Sequence, residues 1–298
     1  MRGDLSLTIV LALVFTASQL LAAKHTISPG PGTPFQDAID AAAVGDTIEV
    51  QPGTYPEALV VTKALKIRAT GEVHVDAGCL SPTALEIAAD GVRIKGARHF
   101  PFFFERGQTT GILVVGRSKI TLDSIGAGSP FDFASTNCAT SVGIDVAGGS
   151  RITLRNLRVG LAFDLTQVGI RVHDVALGSK IKLILPQVEQ GNPALDLHNV
   201  APGAMRGESG VSVVGAIVRS SAGPAPSMTL GSADGVFVKS SSLFLSPGGT
   251  TALALDASSD ANVVKQNSIE GDALDAGVGN CWVDNVEFGS GVIPTTCP

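Results

Sequence analysis

"GIDVAGGSRITLR", residues 143–155, holds two short alternating strands on either side of a Gly-Gly-Ser turn. The same design recurs in "ALEIAADGVRIKG" (84–96), "GILVVGRSKITLD" (111–123) and "GIRVHDVALGSKIKL" (169–183), with starts separated by 27, 32 and 26 residues. Less regular copies are "GVSVVGAIVRSS" (210–221), "SMTLGSADGVFVKSSSLFL" (227–245) and "TALALDASSDANVVKQNSI" (251–269). A period in this range marks a solenoid. No helical period separates the strands, which excludes a helix-backed parallel sheet. The sequence therefore predicts an all-β chain, a parallel β-helix of about ten coils. Ile112, Ile144 and Ile170 stack inward in one column and Ile120, Ile152 and Ile181 in another. The outward columns test the register. Lys95, Asp123 and Arg155 alternate in sign along one, and Asp145 lies beside Arg171 in another, so neighbouring strands about 4.8 Å apart bring opposite charges together.

An open solenoid must cover its ends, because a bare terminal coil exposes core and unpaired backbone. In "TPFQDAIDAAAVG" (33–45) the sequence predicts an amphipathic helix that lids the first coil, with Thr33 as N-cap, Pro34 at the first helical position and Gln36 completing a capping box. Phe35, Ala38, Ile39 and Ala42 form its apolar face, and Gly45 suits its exit. The first coil follows, with Ile48 and Val50 inward, Pro52-Gly53 turning, and Leu59 and Val61 on the next sheet. Coils extend over 46–280. The segment 281–298 closes the far end, with Trp282 sealing the core and a Cys281–Cys297 disulfide holding the cap.

The chain has 298 residues, 35 Gly, 16% charged residues, 5% aromatics and a mean hydropathy of +0.32. That is too apolar for disorder. A net charge of −6 argues against a nucleic-acid partner, which needs clustered Lys and Arg. Residues 1–23, with Arg2, an apolar run from Leu5 to Leu21 and small Ala22 and Ala23, read as a secretory signal peptide. No other stretch approaches membrane-spanning length. Residues 24–298 are then one exported β-helix domain, free of the membrane after cleavage and a monomer by default. Four cysteines suit an oxidising compartment. Cys281 and Cys297 close a loop worth about 3 kcal/mol, and Cys79 is paired with Cys138. A zinc site lacks CxxC spacing and a neighbouring His.

The helix followed by "GDTIEVQPGTYPEALVVTKALKIRATG" (45–71) resembles the opening of the pectin-lyase-like right-handed parallel β-helix superfamily, with its pectinesterase-like and copper-periplasmic-protein-like members. The similarity is strongest over residues 33–71 and continues as repeat character to about residue 288. It implies the fold and leaves the activity open, since the superfamily holds lyases, hydrolases, esterases, epimerases, tailspikes and adhesins. The "GTYPE" of pectinesterases is present at Gly53 to Glu57, and Phe131-Asp132-Phe133 resembles their Asp-Phe motif, but no Gln-Asp partner follows. Arg93-Ile94-Lys95 matches the polygalacturonase Arg-Ile-Lys without its Gly-His-Gly. His173-Asp174 approaches the epimerase Asp-Pro-His-Asp but lacks the Pro and the first Asp.

Two site hypotheses follow. His173 and Asp174, with Asp145 and Arg171, form a candidate catalytic group: a histidine beside a carboxylate can abstract the proton next to a uronate carboxylate while Arg171 or Arg155 neutralises the developing charge. Asp132, Asp145 and Asp164 are candidates for a hydrolase pair. "RHFPFFFERG" (98–107) and "SPFDF" (129–133) concentrate six of the twelve Phe in loops that interrupt the repeat. They are read as the wall of a lateral groove, with Phe103, Phe104, Glu105, Arg106 and Asp132 as substrate contacts, or as loops packed onto the solenoid. Nucleotide, serine-hydrolase and metalloprotease motifs are missing. Asp272, Asp275 and Asp284 lack the spacing of a calcium loop. No metal and no cofactor is expected. The resulting reading is a secreted or envelope module that binds a polysaccharide or cell-surface partner without an identifiable catalytic motif. The alternative is a lyase, epimerase or esterase acting on acidic glycans such as pectin or alginate.

Overall fold

The computed structural model describes residues 22–98, 102–128, 141–160, 168–189, 191–201, 210–220, 223–245, 247–288, 291–294 and 297. Among these residues thirty short strands wind into three parallel sheets of eleven, ten and nine strands, a right-handed parallel β-helix. Each winding contributes one strand to each sheet in the order sheet 1, sheet 2, sheet 3. In the first winding these are Thr47–Val50, Gly53–Tyr55 and Leu59–Val61. Nine windings are complete. The tenth ends after Cys281–Val283 and Val286–Phe288. The repeat read as two strands therefore has three, because the sheet 2 strands are so short. Pro52-Gly53 does not lead directly to Leu59, since Gly53–Tyr55 lies between them.

The core is a set of ladders parallel to the solenoid axis. On sheet 3, Leu59, Leu85, Ile112, Ile144, Ile170, Leu195, Met228 and Leu253 are successive partners. On sheet 1, Ile48, Ile67, Ile94, Leu122, Leu154, Leu183, Val213, Val238 and Val264 form a second ladder, and Trp282 is its last rung. Trp282 is buried, and its indole N–H donates to Asp275 at 2.7 Å. The Cys281–Cys297 disulfide lies beside it. Cys79 is disulfide-bonded as well, while Cys138 is outside the described residues.

Corners keep the windings in step. Between sheets 1 and 2, Ser124, Asn156, Leu185, Gly215, Ser240, Gln266 and Asp284 occupy one column, and every one is left-handed. Below this column, buried Ser241 and Asn267 and half-buried Asn285 pass hydrogen bonds from winding to winding. Asn267 accepts from the Ser241 N–H at 2.9 Å and donates to the Val238 carbonyl at 3.1 Å. Asn285 repeats the pattern one winding on. These side chains satisfy corner backbone groups that no ladder reaches.

The first winding is closed by a helix, Pro34–Ala41, whose Phe35 and Ile39 are fully buried. Phe35 packs edge-on to Tyr55 and stacks on Phe102, which stacks on Phe104, so the aromatic residues concentrate under the lid. Pro34 begins the helix as expected, but the capping box does not form. The Thr33 side chain makes no cap bond and turns to Asp37. The helix N-terminus is held from the first winding instead: the Glu57 carboxylate accepts from the N–H groups of Phe35 (3.0 Å) and Gln36 (2.8 Å). Gln36 in turn pairs its amide with both backbone groups of Val60, covering the edge of sheet 3. Lys63 donates to the carbonyls of Ile39, Asp40 and Ala42 at the other helix end. Beyond the helix, Lys24–Ile27 adds a strand to sheet 1 beside Thr47–Val50. Among the described residues no helix is long and apolar enough to cross a membrane. Residues 1–21, most of the segment 1–23 read as a signal peptide, lie outside them.

Candidate functional site

Parallel register sets the same position of successive windings side by side, so a polar residue that recurs in sequence becomes a cluster in space. On the outward face of sheet 3 this happens across four windings. Asp145, Arg171, Asp196 and Thr229 form one column, and Ala147, His173, His198 and Gly231 the next. The sequence cause is visible in "IRVHDV" (170–175) and "LDLHNV" (195–200), which place a charged residue, a His and then a polar residue at matching positions. That polar residue, Asp174 or Asn199, is left-handed, which returns Val175 and Val200 to the core.

The side chains interlock. Asp145, 7% exposed, accepts from Arg171 Nε (3.1 Å) and Nη2 (2.6 Å) and faces His173 Nε2 at 3.1 Å. The other ring nitrogen of His173 faces Asp174 at 2.7 Å, and Asn199 donates to the same carboxylate at 3.1 Å. His173 and His198 stack with centroids 5.0 Å apart and planes 10° from parallel. His198 Nδ1 faces Asp196 at 3.1 Å, and Thr229 donates to Asp196 at 2.6 Å. The hydrogen bonds with Asp145, opposed by burial, raise the Arg171 pKa. Bonds from Asn199 and then His173 lower that of Asp174. Gly231, next in register to His198, sets no side chain against the other face of its ring.

His173, Asp174, Asp145 and Arg171 thus meet in one cluster. Asp196, His198, Asn199 and Thr229 extend it, and the sequence reading overlooked them although the repeated His position signals their placement. With both ring nitrogens of His173 facing carboxylates, only the doubly protonated ring can donate to both. Both Arg171 nitrogens that reach Asp145 are likewise engaged. The arrangement is a preorganised network of donors and acceptors in which most charged groups already have partners.

The aromatic stretch lies elsewhere, in strand Phe102–Glu105 of sheet 2. Phe104 points into the core at 0% exposure and presents no surface to a ligand. Phe103 faces outward, stacks on His74 at 5.0 Å, lies over Gly126 and is 3% exposed. Glu105 and His74 pair at 3.1 Å. That bond, opposed by burial and supported by the charges of Glu105 and Glu72, raises the His74 pKa. Arg106 donates to Asp76 through Nε at 2.5 Å. Phe102, Phe103 and Phe104 are buried in packing contacts, and Phe100, Phe131 and Phe133 lie outside the described residues. Asp132 and Asp164 lie outside the described residues. Asp275 is taken up by Trp282, Asn280 and Gly277, and Asp272 by the Val292 N–H. Among the described residues no group of three or more His, Cys, Asp and Glu could hold a metal ion.

Fold and register define a right-handed parallel β-helix. In the comparison with solved structures the chain matches pectate lyase Pel9A at 14% identity and a TM-score of 0.52, over 88% of this chain and 79% of that one. It also matches a pectin methylesterase bound to a hexasaccharide (12%, 92% and 90%, TM-score 0.43). A third match is the A-module of Azotobacter vinelandii mannuronan C-5 epimerase AlgE4 (12%, 86% and 83%, TM-score 0.31). No family model matches the chain. No curated protein matches it either.

Proposed function

We propose that the chain is an exported or envelope β-helix that binds a polysaccharide across the outward face of sheet 3, without turning it over. The observation that carries this reading is the fixed donor and acceptor platform around the stacked His173 and His198. Sugar hydroxyls both donate and accept, and a rigid array of carboxylate lone pairs, the His198 imidazole, Asn199 and Thr229 can match them without reorganising. Beside His198, Gly231 contributes no side chain and the Asp256 carboxylate stands close by, so the imidazole edge and that carboxylate together face a sugar. The two cystines and the apolar leader at 1–23 support export. Carbohydrate as the ligand also agrees with the pectate lyase likeness, which is one of fold.

The alternative, proton abstraction from a uronate, draws on the contact of His173 with Asp145 and Arg171. Against it, both ring nitrogens of His173 face protein carboxylates rather than a ligand, and Arg171 is committed to Asp145. One experiment separates the two. The purified protein is incubated with neutral glycans, pectins and alginates, and binding and unsaturated-product absorbance are followed in the same samples. Binding without product is expected, weakened about tenfold by His198→Ala, the loss of one good contact. Product that disappears in His173→Ala would establish the enzyme instead, and no binding to any polymer would overturn the proposal.

A further inference from the structure

The outward face of sheet 1 is strongly charged and takes no part in the sheet 3 platform. Register arranges it as two columns. The first runs from Thr47 to Cys281 without a carboxylate and carries Lys66, Arg93 and Lys182. The second carries Arg155, Lys239 and Lys265 as well as Arg68 and Lys95. Its two carboxylates, Glu49 and Asp123, stand in register beside Arg68, Lys95 and Arg155 and balance part of their charge. The excess therefore comes from the first column and from Lys239 and Lys265.

Lys66 stands directly opposite Arg93, an arrangement that is unfavourable within the sheet itself. At the corner leading into sheet 1, Lys119 and Arg151 follow the bridged Ser118 and Ser150 on adjoining windings. The carboxylates of that corner, Asp90, Asp234 and Asp260, each accept a backbone N–H. Lys66, Arg93, Lys119, Arg151 and Lys182 are exposed, and none of them forms an ion pair among the described residues. A chain with 27 Asp and Glu against 21 Lys and Arg thus gathers an excess of cations on one face. Towards the far end, half-buried apolar side chains join them. Phe237 and Val263 lie in the first column where Lys239 and Lys265 lie in the second.

We propose that this face lays the exported protein on a bilayer rich in anionic phospholipid, a peripheral attachment in place of the membrane-free chain expected from the sequence. The partner is argued from shape as well as charge. Eleven strands about 4.8 Å apart give a face roughly 48 Å long, and its cations spread over two columns and a corner rather than along one line. A lipid surface meets such a plane everywhere at once, whereas the phosphates of a nucleic acid follow a line. The long stems of Lys and Arg let their heads reach lipid phosphates, and Phe237 and Val263 suit the boundary between headgroups and acyl chains. Each cation near an anionic bilayer adds a similar small attraction, so the number gathered on one face decides the strength. Attachment through sheet 1 leaves the sheet 3 platform free, and the proposal does not depend on what that platform binds.

The test is co-sedimentation of the purified exported protein with vesicles of phosphatidylcholine alone and of phosphatidylcholine mixed with phosphatidylglycerol, beside a titration with double-stranded DNA. The protein is expected to sediment with the anionic vesicles and to stay in solution with the neutral ones. Binding should weaken at least about tenfold as salt rises from about 10 mM to about 0.15 M, which shortens the Debye length from about 30 to about 8 Å. Arg93→Glu combined with Lys182→Glu removes two exposed cations from the first column and should weaken partitioning about 30-fold or more at unchanged melting temperature. Arg158→Glu combined with Arg219→Glu makes the same change in net charge on sheet 2 and should leave most of the binding, as should His198→Ala. No sedimentation with anionic vesicles at low salt, or equal binding to neutral ones, would overturn the proposal. So would an equal loss in the sheet 2 pair, or DNA bound more tightly than the vesicles.

Discussion

Replacing Glu57 tests whether the lid of the solenoid is held from the first winding. Its carboxylate, in a residue 5% exposed, accepts from two N–H groups at the helix start. The bond to Phe35 is buried and that to Gln36 only partly so. In Glu57→Ala water can reach the Gln36 N–H, but the Phe35 N–H is stranded, at a cost of about 1–3 kcal/mol. Loss of a carboxylate at the positive end of the helix adds a few tenths more. Part of this is offset, because burial raises the Glu57 pKa against its two hydrogen bonds, which means that the charged form itself is held at some cost. The expected loss is about 2 kcal/mol in urea unfolding, close to the upper end for a helix N-cap. Glu57→Gln should lose about half, since its single oxygen satisfies one N–H while its NH2 confronts the other. Because each winding touches only its neighbours, the damage should be local. Amide exchange at Gln36–Ala42 and Thr47–Val50 is expected to accelerate about 30-fold, with Val238 and Val264 unchanged. A loss under about 0.5 kcal/mol, or acceleration spread evenly along the chain, would refute the reasoning.

Leu185 is left-handed with φ 54° and 53% exposed, so Leu185→Asn should stabilise the chain by about 1 kcal/mol in the same unfolding assay; a destabilised variant would count against strain at that corner. For His74, whose pKa is raised chiefly by its bond with Glu105, the stabilising contribution is complete below the unfolded value of about 6.5 and is lost as pH climbs through the higher folded value. NMR titration should find the His74 midpoint above about 6.5, and His74→Gln should remove this part of the pH dependence of melting; a midpoint at or below that value would refute it.

The inward ladders were legible because alternation is a local signal, and Ile112, Ile144 and Ile170 are register partners in the fold. So were the charge columns Lys95, Asp123, Arg155 and Asp145, Arg171. Sheet 2 was not, since strands such as Arg158–Val159 and Gln187–Val188 are too short to alternate. The Glu57 cap escaped local reading because its partners lie 21 and 22 residues away. Half of the sheet 3 cluster was readable from His173 and its neighbours. The other half required seeing "LDLHNV" as a copy of "IRVHDV", an alignment hidden by Pro186 and Pro193 and the short sheet 2 strand between them.

The left-handed corner gives the solenoid two unequal edges. From Asp123 onward the link between sheets 1 and 2 is one or two residues, so an added residue there would throw later strands out of register. The link between sheets 2 and 3 already varies from the single Gly271 to the fourteen residues 128–141. Foreign segments spliced into that second edge would hang from the frame without disturbing its pitch. The molecule can therefore be used as a ruler, with attachments spaced along one side at multiples of about 4.8 Å.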